Sequence, residues 1–563
     1  MRRKAVILAA LALVVVPHSA ASPVRVFPAV TYERKPQWTS IGPLWTYVIT
    51  APRPGGLYSL TPLLSNGAII GRETVSSMER DVSARMTTIG VNGDFFNWAG
   101  GWPSGLLMQG DVIEHHPADG RGAVGVDTSG NLHVDHVQWS ASWRGFSGQT
   151  FPIAQLNEPP RPNATALFTP AWGGSTPKVT GVAVMLRPFP SALPFRDLVG
   201  TVVSVVGNAS VPVPRDGAVL VGRGKAASEL QSSALDGSDV TIRLSLLTPN
   251  WGSVTDAVSG GPTLVRNGQP VRNAGEALTA VQLNGRDPRT AIGQRADGGI
   301  VIVAADGRRS GWSVGISNWD LALLLIRYGC VTGFALDSGG STTVALDGTV
   351  LNRPSDPTGE RPVAESLVIG YTGVYAPVAA PTISPNRDGV AERESLNYKL
   401  VRPSTVDAKL LGPGGTIREV DTGSRAPGRF RFTWNGTDAS GAPAPEGRYH
   451  WNVTATDDLG RSSTVDRSFT LDNTLGFLRV SRGARRISFT LTRAAKIRVT
   501  IETPYGEILR TVAAGPQAAG RITARWNGRD GRRHKLARGS YVVNVDATSV
   551  LGLSTLQARL IVH

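Results

Sequence analysis

Residues 330–343 read Cys330-Val331-Thr332-Gly333-Phe334-Ala335-Leu336-Asp337-Ser338-Gly339-Gly340-Ser341-Thr342-Thr343. A continuous apolar run ends on a carboxylate, two glycines and a row of hydroxyls. The run reads as a buried strand over Val331–Leu336, with Asp337 at its end. Upstream, Asn318–Tyr328 reads as a helix. Ser317 is placed to cap it, Asp320 stands in its first turn, Leu321, Leu324, Leu325 and Tyr328 share a face, and Gly329 stops it. A helix followed by a buried strand that stops on a charge is a way to fix a carboxylate rigidly at a pocket rim.

Working outward, the rest of 45–373 alternates short β-prone runs with Gly, Asn and Asp turns. Strands are expected over Leu44–Ile49, Met86–Val91, Leu106–Ile113, Gly181–Leu186, Thr201–Val206 and Gly299–Ala304, and a second helix over Thr74–Ala84. Residues 22–45 read as an irregular lead-in with scattered prolines. Asn92 and Asp94 follow the apolar Thr88-Ile89-Gly90-Val91 as Asp337 follows its own run, so they form a second candidate strand-end site. Gly339 and Gly340, and separately Gly260 and Gly261, leave room for backbone N–H groups to approach an anion, and Ser341 and Thr342 add hydroxyl donors. Arg289 and Arg361 are candidate bidentate partners for phosphate oxygens. Asp306-Gly307 reads as a turn. His115-His116 has no third ligand placed by spacing and is expected at the surface.

Beyond Pro385 the chain repeats itself. Trp434-Asn435-Gly436 recurs as Trp526-Asn527-Gly528, Gly447-Arg448-Tyr449 as Gly539-Ser540-Tyr541, and Leu459-Gly460 as Leu551-Gly552, each at an offset of 92 residues. With strand alternation such as His450-Trp451-Asn452-Val453-Thr454-Ala455, this predicts two β-sandwiches. The expected organisation is a signal peptide at 1–21, a catalytic domain at 22–375, a linker at 376–385, an Ig-like sandwich at 386–475 and a second, strongly basic one at 476–563. The fold class is mixed α+β, with a β-rich catalytic domain followed by two all-β immunoglobulin-like sandwiches. Ser384-Pro385-Asn386-Arg387-Asp388-Gly389-Val390-Ala391-Glu392 opens the first sandwich. Asn386, Asp388 and Glu392 suit either a weak structural Ca²⁺ loop or an Asx turn.

The bulk numbers bound the class. The 563 residues exceed one ordinary core. Arg2, Arg3 and Lys4 precede a roughly dozen-residue apolar stretch and the small residues Ser19-Ala20-Ala21, which predicts export, to the medium or the cell envelope. No later stretch approaches ~18 apolar residues, so no transmembrane helix is expected after it. The single cysteine, Cys330, excludes an intramolecular disulfide and reads as a small buried hydrophobe. The net charge is +15, and residues 476–563 alone hold 16 Arg and Lys against 4 Asp and Glu. Clusters at Arg482, Arg485, Arg486 and at Arg529, Arg532, Arg533, Lys535 point to an anionic partner for that end, an anionic cell-wall polymer rather than a specific nucleic acid.

Five blocks, in order, resemble the phosphodiester glycosidase family: Asn92-Gly93-Asp94-Phe95-Phe96, Ser259-Gly260-Gly261-Pro262-Thr263, Pro288-Arg289-Thr290-Ala291-Ile292-Gly293 with Asp306-Gly307, Leu336-Asp337-Ser338-Gly339-Gly340-Ser341-Thr342, and Glu360-Arg361-Pro362-Val363-Ala364. Ser338 departs from the family's usual Gly, and Ala335 from the Asn of many members. The repeat units resemble the Ig-like domain of flagellar hook-capping proteins. The resemblance implies hydrolysis of the bond between a sugar's anomeric carbon and a phosphodiester oxygen, with no cofactor needed for catalysis. It implies Asp337, Asp94 and Asn92 as catalytic residues. Arg289, Thr290, Gly260, Gly261, Gly339, Gly340, Ser341, Thr342 and Arg361 would hold the sugar-phosphodiester or glycan substrate. The alternative is a catalytically inactive glycan-binding protein on the same scaffold.

Overall fold

The computed structural model describes residues 23–272, 274–481, 486–504 and 506–562. The expected signal segment Met1–Ala21 and the basic Arg482 and Arg485 lie outside them. The chain divides into two compact units, one essentially within residues 29–370 and one from Tyr371 onward.

In the first unit, Val30–Thr39, Gly42–Ala51, Ile300–Ala305, Arg289–Arg295, Cys330–Ala335 and Thr263–Arg266 lie side by side in one antiparallel sheet. The middle strands carry apolar side chains at consecutive positions because both faces are covered. Asn318–Arg327 packs its Leu321, Leu324 and Leu325 against this sheet, with Ser317 Oγ capping Asp320 N and Gly329 ending the helix at φ 85°. Beside it, Val344–Leu346, Thr87–Asn92 and Glu365–Tyr371 are neighbours in a second sheet. A third orders Val112–His115, Leu107–Gln109, Val254–Ser259 and Ala123–Asp127, and a fourth of eight strands includes Gln155–Leu156 at its edge.

The β-rich reading holds, and the second helix forms at Val75–Val82, capped by Thr74. Three local expectations are corrected. The lead-in is regular: Val30–Thr39 pairs with Gly42–Ala51 along its whole length. Pro36 fits there because the opposite side of the strand is an edge at that point, so no ladder donor is missing. Leu106–Ile113 is not one strand but a hairpin, broken at Gly110 and Asp111, which have φ of 57° and 69°. Lys225–Ser233 is a helix the sequence pattern did not declare.

The second unit holds the two sandwiches. The first packs Trp434, Tyr449, Trp451 and Phe469 in its core, and the second Phe489, Trp526 and Val545. The repeat is structural down to single hydrogen bonds. Trp434 Nε1 donates to Thr437 O at 2.7 Å and Trp526 Nε1 to Arg529 O at 2.9 Å. Tyr449 Oη donates to Pro445 O at 2.5 Å and Tyr541 Oη to Ala537 O at 3.0 Å. Residues 376–385, expected as a linker, are part of the first sandwich: Ala376 and Ile383 are in its core and Thr382–Ile383 pairs with Thr470–Leu471. Prolines hid a strand too short to show periodicity.

Candidate functional site

Three carboxylates meet where the first two sheets end. Asp337 follows Cys330–Ala335, Asp94 follows Thr87–Asn92, and Glu365 opens the strand Glu365–Tyr371 beside it. Backbone bonds hold the ends in register: Asp337 N donates to Gly93 O at 2.9 Å, and Gly93 N to Glu365 O at 2.9 Å. Glu365 Oε1 accepts Asp94 N at 2.5 Å. Gly93 has to be glycine, since a Cβ there would lie 2.8 Å from Glu365 Oε1. Asp94, Asp337 and Glu365 are all buried.

Asn92 gives its side chain to protein partners. Its Nδ2 donates to Asp337 O at 2.9 Å, and its Oδ1 accepts Thr290 Oγ1 at 2.7 Å and Thr343 N at 3.3 Å. Asn92 and Thr290 therefore tie the two carboxylate-bearing strands together, and neither is free for the roles expected of it.

Burial dominates the electrostatics. It pushes the Asp337 carboxyl up to about 7, against hydrogen bonds from Ser341 and the Ser338 amide. It pushes Glu365 well above the usual carboxylate range, and the charges of Asp94 and Asp337 add to this. Asp94 is also raised by burial, but Arg121 opposes it. Arg121 Nη2 donates to Asp94 Oδ1 and, at 2.8 Å, to Gly260 O. A carboxylate with a guanidinium keeps its charge more readily than one with only an amide donor, so Asp94 is the more readily ionised of the two. A fourth buried carboxylate, Glu276, accepts Thr263 N at 2.6 Å and Thr263 Oγ1 at 3.0 Å.

The glycine turns serve packing as well as access. Gly339 adopts φ 70° and donates to Pro288 O. A Cβ on Gly340 would collide with the Arg361–Asp356 pair. Gly261 N donates to Ala335 O at 2.8 Å. Ser341 and Thr342 are buried beside Asp337, and Arg361 Nη1 reaches Ser341 Oγ at 3.4 Å.

One of the two expected phosphate clamps, Arg289, is corrected. Arg289 is buried, with Nε donating to Ile316 O at 3.1 Å and Nη2 to Gly285 O at 2.7 Å, so its fork holds backbone. Arg361 gives Nε and Nη2 to Asp356 at 2.8 and 2.9 Å. It does, however, line a cavity of ≈ 520 Å³ with Arg72, Trp98 and Asp356. Trp98 is 63% exposed there, and the Arg72 and Arg361 guanidinium carbons stand 5.3 and 5.2 Å from its ring centroid.

Sequence reasoning missed Glu365, Arg121, Arg72 and Glu276. Glu365 carries the same signal as Asp337, a charge at one end of a buried run (Ser366–Tyr371). The arginines have none, since only the fold brings Arg121 to Asp94. Asp306 is no simple turn residue: buried, it accepts Tyr47 Oη at 2.7 Å, Trp312 Nε1 at 2.9 Å and Asn352 Nδ2 at 3.1 Å. His115 and His116 are buried rather than at the surface. Asn386, Asp388 and Glu392 accept backbone amides: Asp388 N, then Val390 N with Phe477 N, then Gly389 N. That is Asx-turn geometry. Cys330 is buried, which pushes its thiol up to about 12. Among the described residues no helix is long and apolar enough to cross a membrane.

Residues 198–370 match the phosphodiester glycosidase family model, and residues 395–458 and 478–550 match that of the FlgD Ig-like domain. The chain is 41% identical over 111 residues to the SPbeta prophage-derived uncharacterized protein YomE of Bacillus subtilis, covering 20% of this chain and 17% of that protein. It is 34% identical over 109 residues to the human N-acetylglucosamine-1-phosphodiester alpha-N-acetylglucosaminidase, covering 18% and 21%. The matches thus span about a fifth of those relatives' lengths. A hypothetical protein from Synechocystis shares the fold at TM-score 0.51 and 24% identity, over 61% of this chain and 62% of that one. The chain is thus similar to the phosphodiester glycosidase family over residues 198–370 and, beyond them, to the FlgD Ig-like domain over two successive stretches.

Proposed function

We propose that the protein is an exported glycosidase that hydrolyses sugar-1-phosphodiester bonds in an extracellular glycan. The observation that carries this reading is the convergence of Asp94, Asp337 and Glu365 at adjoining strand ends, linked through Ser341 to Arg361, which lines a cavity with Trp98 and Arg72. An exposed indole is a platform for the apolar face of a sugar ring. Arg72 and Arg361 beside it attract the phosphodiester anion. Arg72 makes no ion pair among the described residues, so its guanidinium is available.

In the reaction, water attacks the anomeric carbon as the bond to the phosphate oxygen breaks, and the electron pair leaves on the phosphomonoester. Asp94, whose ionised form Arg121 favours, faces the positive charge that develops on the sugar ring. Asp337, whose carboxyl titrates at about 7, moves the proton near neutral pH. Glu365 positions Asp94 through its amide. The presence of all three carboxylates favours turnover over a binding-only role. The basic second sandwich, whose Arg529, Arg532, Arg533 and Lys535 are exposed, holds the enzyme on an anionic cell-wall polymer. The test is incubation of the purified protein with a panel of sugar-1-phosphodiesters, with products separated. Release of free sugar and phosphomonoester from at least one member is expected. No turnover of any member by protein that binds the same compounds would favour the receptor reading.

A further inference from the structure

Away from the carboxylates, the first unit holds a second chemical cluster. Nε2 or Nδ1 of His115 and His116 and a carboxylate oxygen of Glu158 all lie within 4.8 Å of one another. His115 is 2% exposed and His116 5%. The tautomer of His115 follows from its partners. Nδ1 lies 2.8 Å from Gly105 O and 3.1 Å from His116 O, both acceptors only, so Nδ1 carries the proton. Nε2 is then a bare lone pair. It is buried and has no hydrogen-bond partner. Burying such an acceptor unpaired costs about 1–3 kcal/mol. His116 Nε2 stands 3.1 Å from Glu158 Oε2, and the two imidazoles stack at 4.6 Å between centroids.

We propose that His115, His116 and Glu158 form a binding site for a divalent transition-metal ion of the zinc class. Two imidazole nitrogens and one carboxylate oxygen are the donors such an ion takes, and the absence of thiolate disfavours Cu(I). A tetrahedral Zn²⁺ separates its ligand atoms by roughly 3.3 Å, which the His116–Glu158 spacing already meets. The carbonyl-held Nδ1–H of His115 is the outer-shell bond that orients a ligating histidine. The Glu158 side chain is 29% exposed and gives the ion its path in.

The site is structural rather than catalytic. His115 ends Val112–His115 in one sheet, and Glu158 follows Gln155–Leu156 at the edge of another. Asn157 between them is itself anchored, with Nδ2 donating to Glu114 O at 2.8 Å and to Thr169 Oγ1 at 2.8 Å. An ion here fastens the two sheets. It also backs the wall of the carboxylate site, because a Cβ on Gly105, whose carbonyl holds His115, would lie 3.3 Å from Asp94 Oδ2.

The test uses full-length protein stripped with EDTA and dialysed. Zn²⁺ is titrated calorimetrically, and Co²⁺ is followed by its visible absorption. One equivalent is expected to bind and to raise the melting temperature. Glu158→Gln, a near-isosteric change at a partly exposed position, should fold and bind at least 10-fold more weakly. His115→Ala should lose both the binding and the metal-dependent rise in melting temperature. Asp388→Asn, in the Asx-turn loop, should bind as wild type does. If His115→Ala does not fold, Glu158→Gln decides. No bound equivalent in wild type, or equal affinity and an unchanged Co²⁺ spectrum in Glu158→Gln, overturns the proposal.

Discussion

Replacing Asp337 by Asn separates the cost of this carboxyl to the fold from its use in the reaction. Burial raises it from an ordinary 3.8 to about 7. The folded state therefore keeps its proton at pH values where the unfolded chain has released it, so the wild type loses stability as pH rises from about 4 to about 7, and the loss persists above. A rise of that size disfavours the ionised folded form by roughly 4 kcal/mol, of which about 3 kcal/mol accrues between pH 5 and pH 8. Asn cannot ionise. Its Oδ1 still accepts the Ser338 amide, bonded at 2.7 Å in the wild type. The variant should thus gain on the wild type by about 3 kcal/mol between pH 5 and pH 8, while turnover falls by several orders of magnitude. Guanidinium denaturation of both proteins at the two pH values measures the first, and initial rates on a sugar-1-phosphodiester the second. A stability difference that is the same at pH 5 and pH 8 would falsify the claim that this carboxyl is held protonated. Wild-type turnover in the variant would remove Asp337 from the chemistry.

Arg121→Gln removes the guanidinium that joins Asp94 to Gly260 O. It should cut turnover about 100-fold and move the acid limb of the kcat/KM profile to higher pH, because Asp94 loses the cation that favours its ionised form; an unmoved limb argues against Asp94 as the charged group. Glu365→Gln keeps an acceptor for the Asp94 amide and should stay within about 10-fold of wild type, whereas Glu365→Ala should lose about 100-fold or more. Equal losses in the two would mean that Glu365 acts as an anion. Arg289→Lys gives up carbonyl bonds and should cost about 2 kcal/mol of stability in a denaturation curve with KM little changed; a raised KM at unchanged stability would restore it to the phosphate. Neutralising Arg529, Arg532, Arg533 and Lys535 to Gln should lower the salt concentration at which the protein leaves immobilised polyphosphate, with turnover of a small soluble substrate unaltered. Identical elution of both proteins would assign those charges to solubility.

The legible parts of this protein are those written in local pattern. The run into Asp337, the helix near Thr74, the cap at Ser317 and the repeat at Trp434 and Trp526 each carry a signal within a few residues, and each forms close to its reading. What was not legible depends on long closures. Arg121 and Asp94 are 27 residues apart, and Asn92 and Thr290 are 198 apart; no periodicity joins them. The same limit misassigned Arg289: an arginine beside a candidate site looks like a clamp until its carbonyl partners are seen. His115-His116 looked incomplete because its third member, Glu158, comes from another sheet.

The central claim is that the bond broken lies between the anomeric carbon and oxygen, not between phosphorus and oxygen. Hydrolysis of a sugar-1-phosphodiester in ¹⁸O-enriched water, with products weighed by mass spectrometry, tests it most directly. The account predicts the label on the anomeric hydroxyl of the released sugar and none in the phosphomonoester. Label in the phosphate, with unlabelled sugar, would contradict it and make the protein a phosphodiesterase.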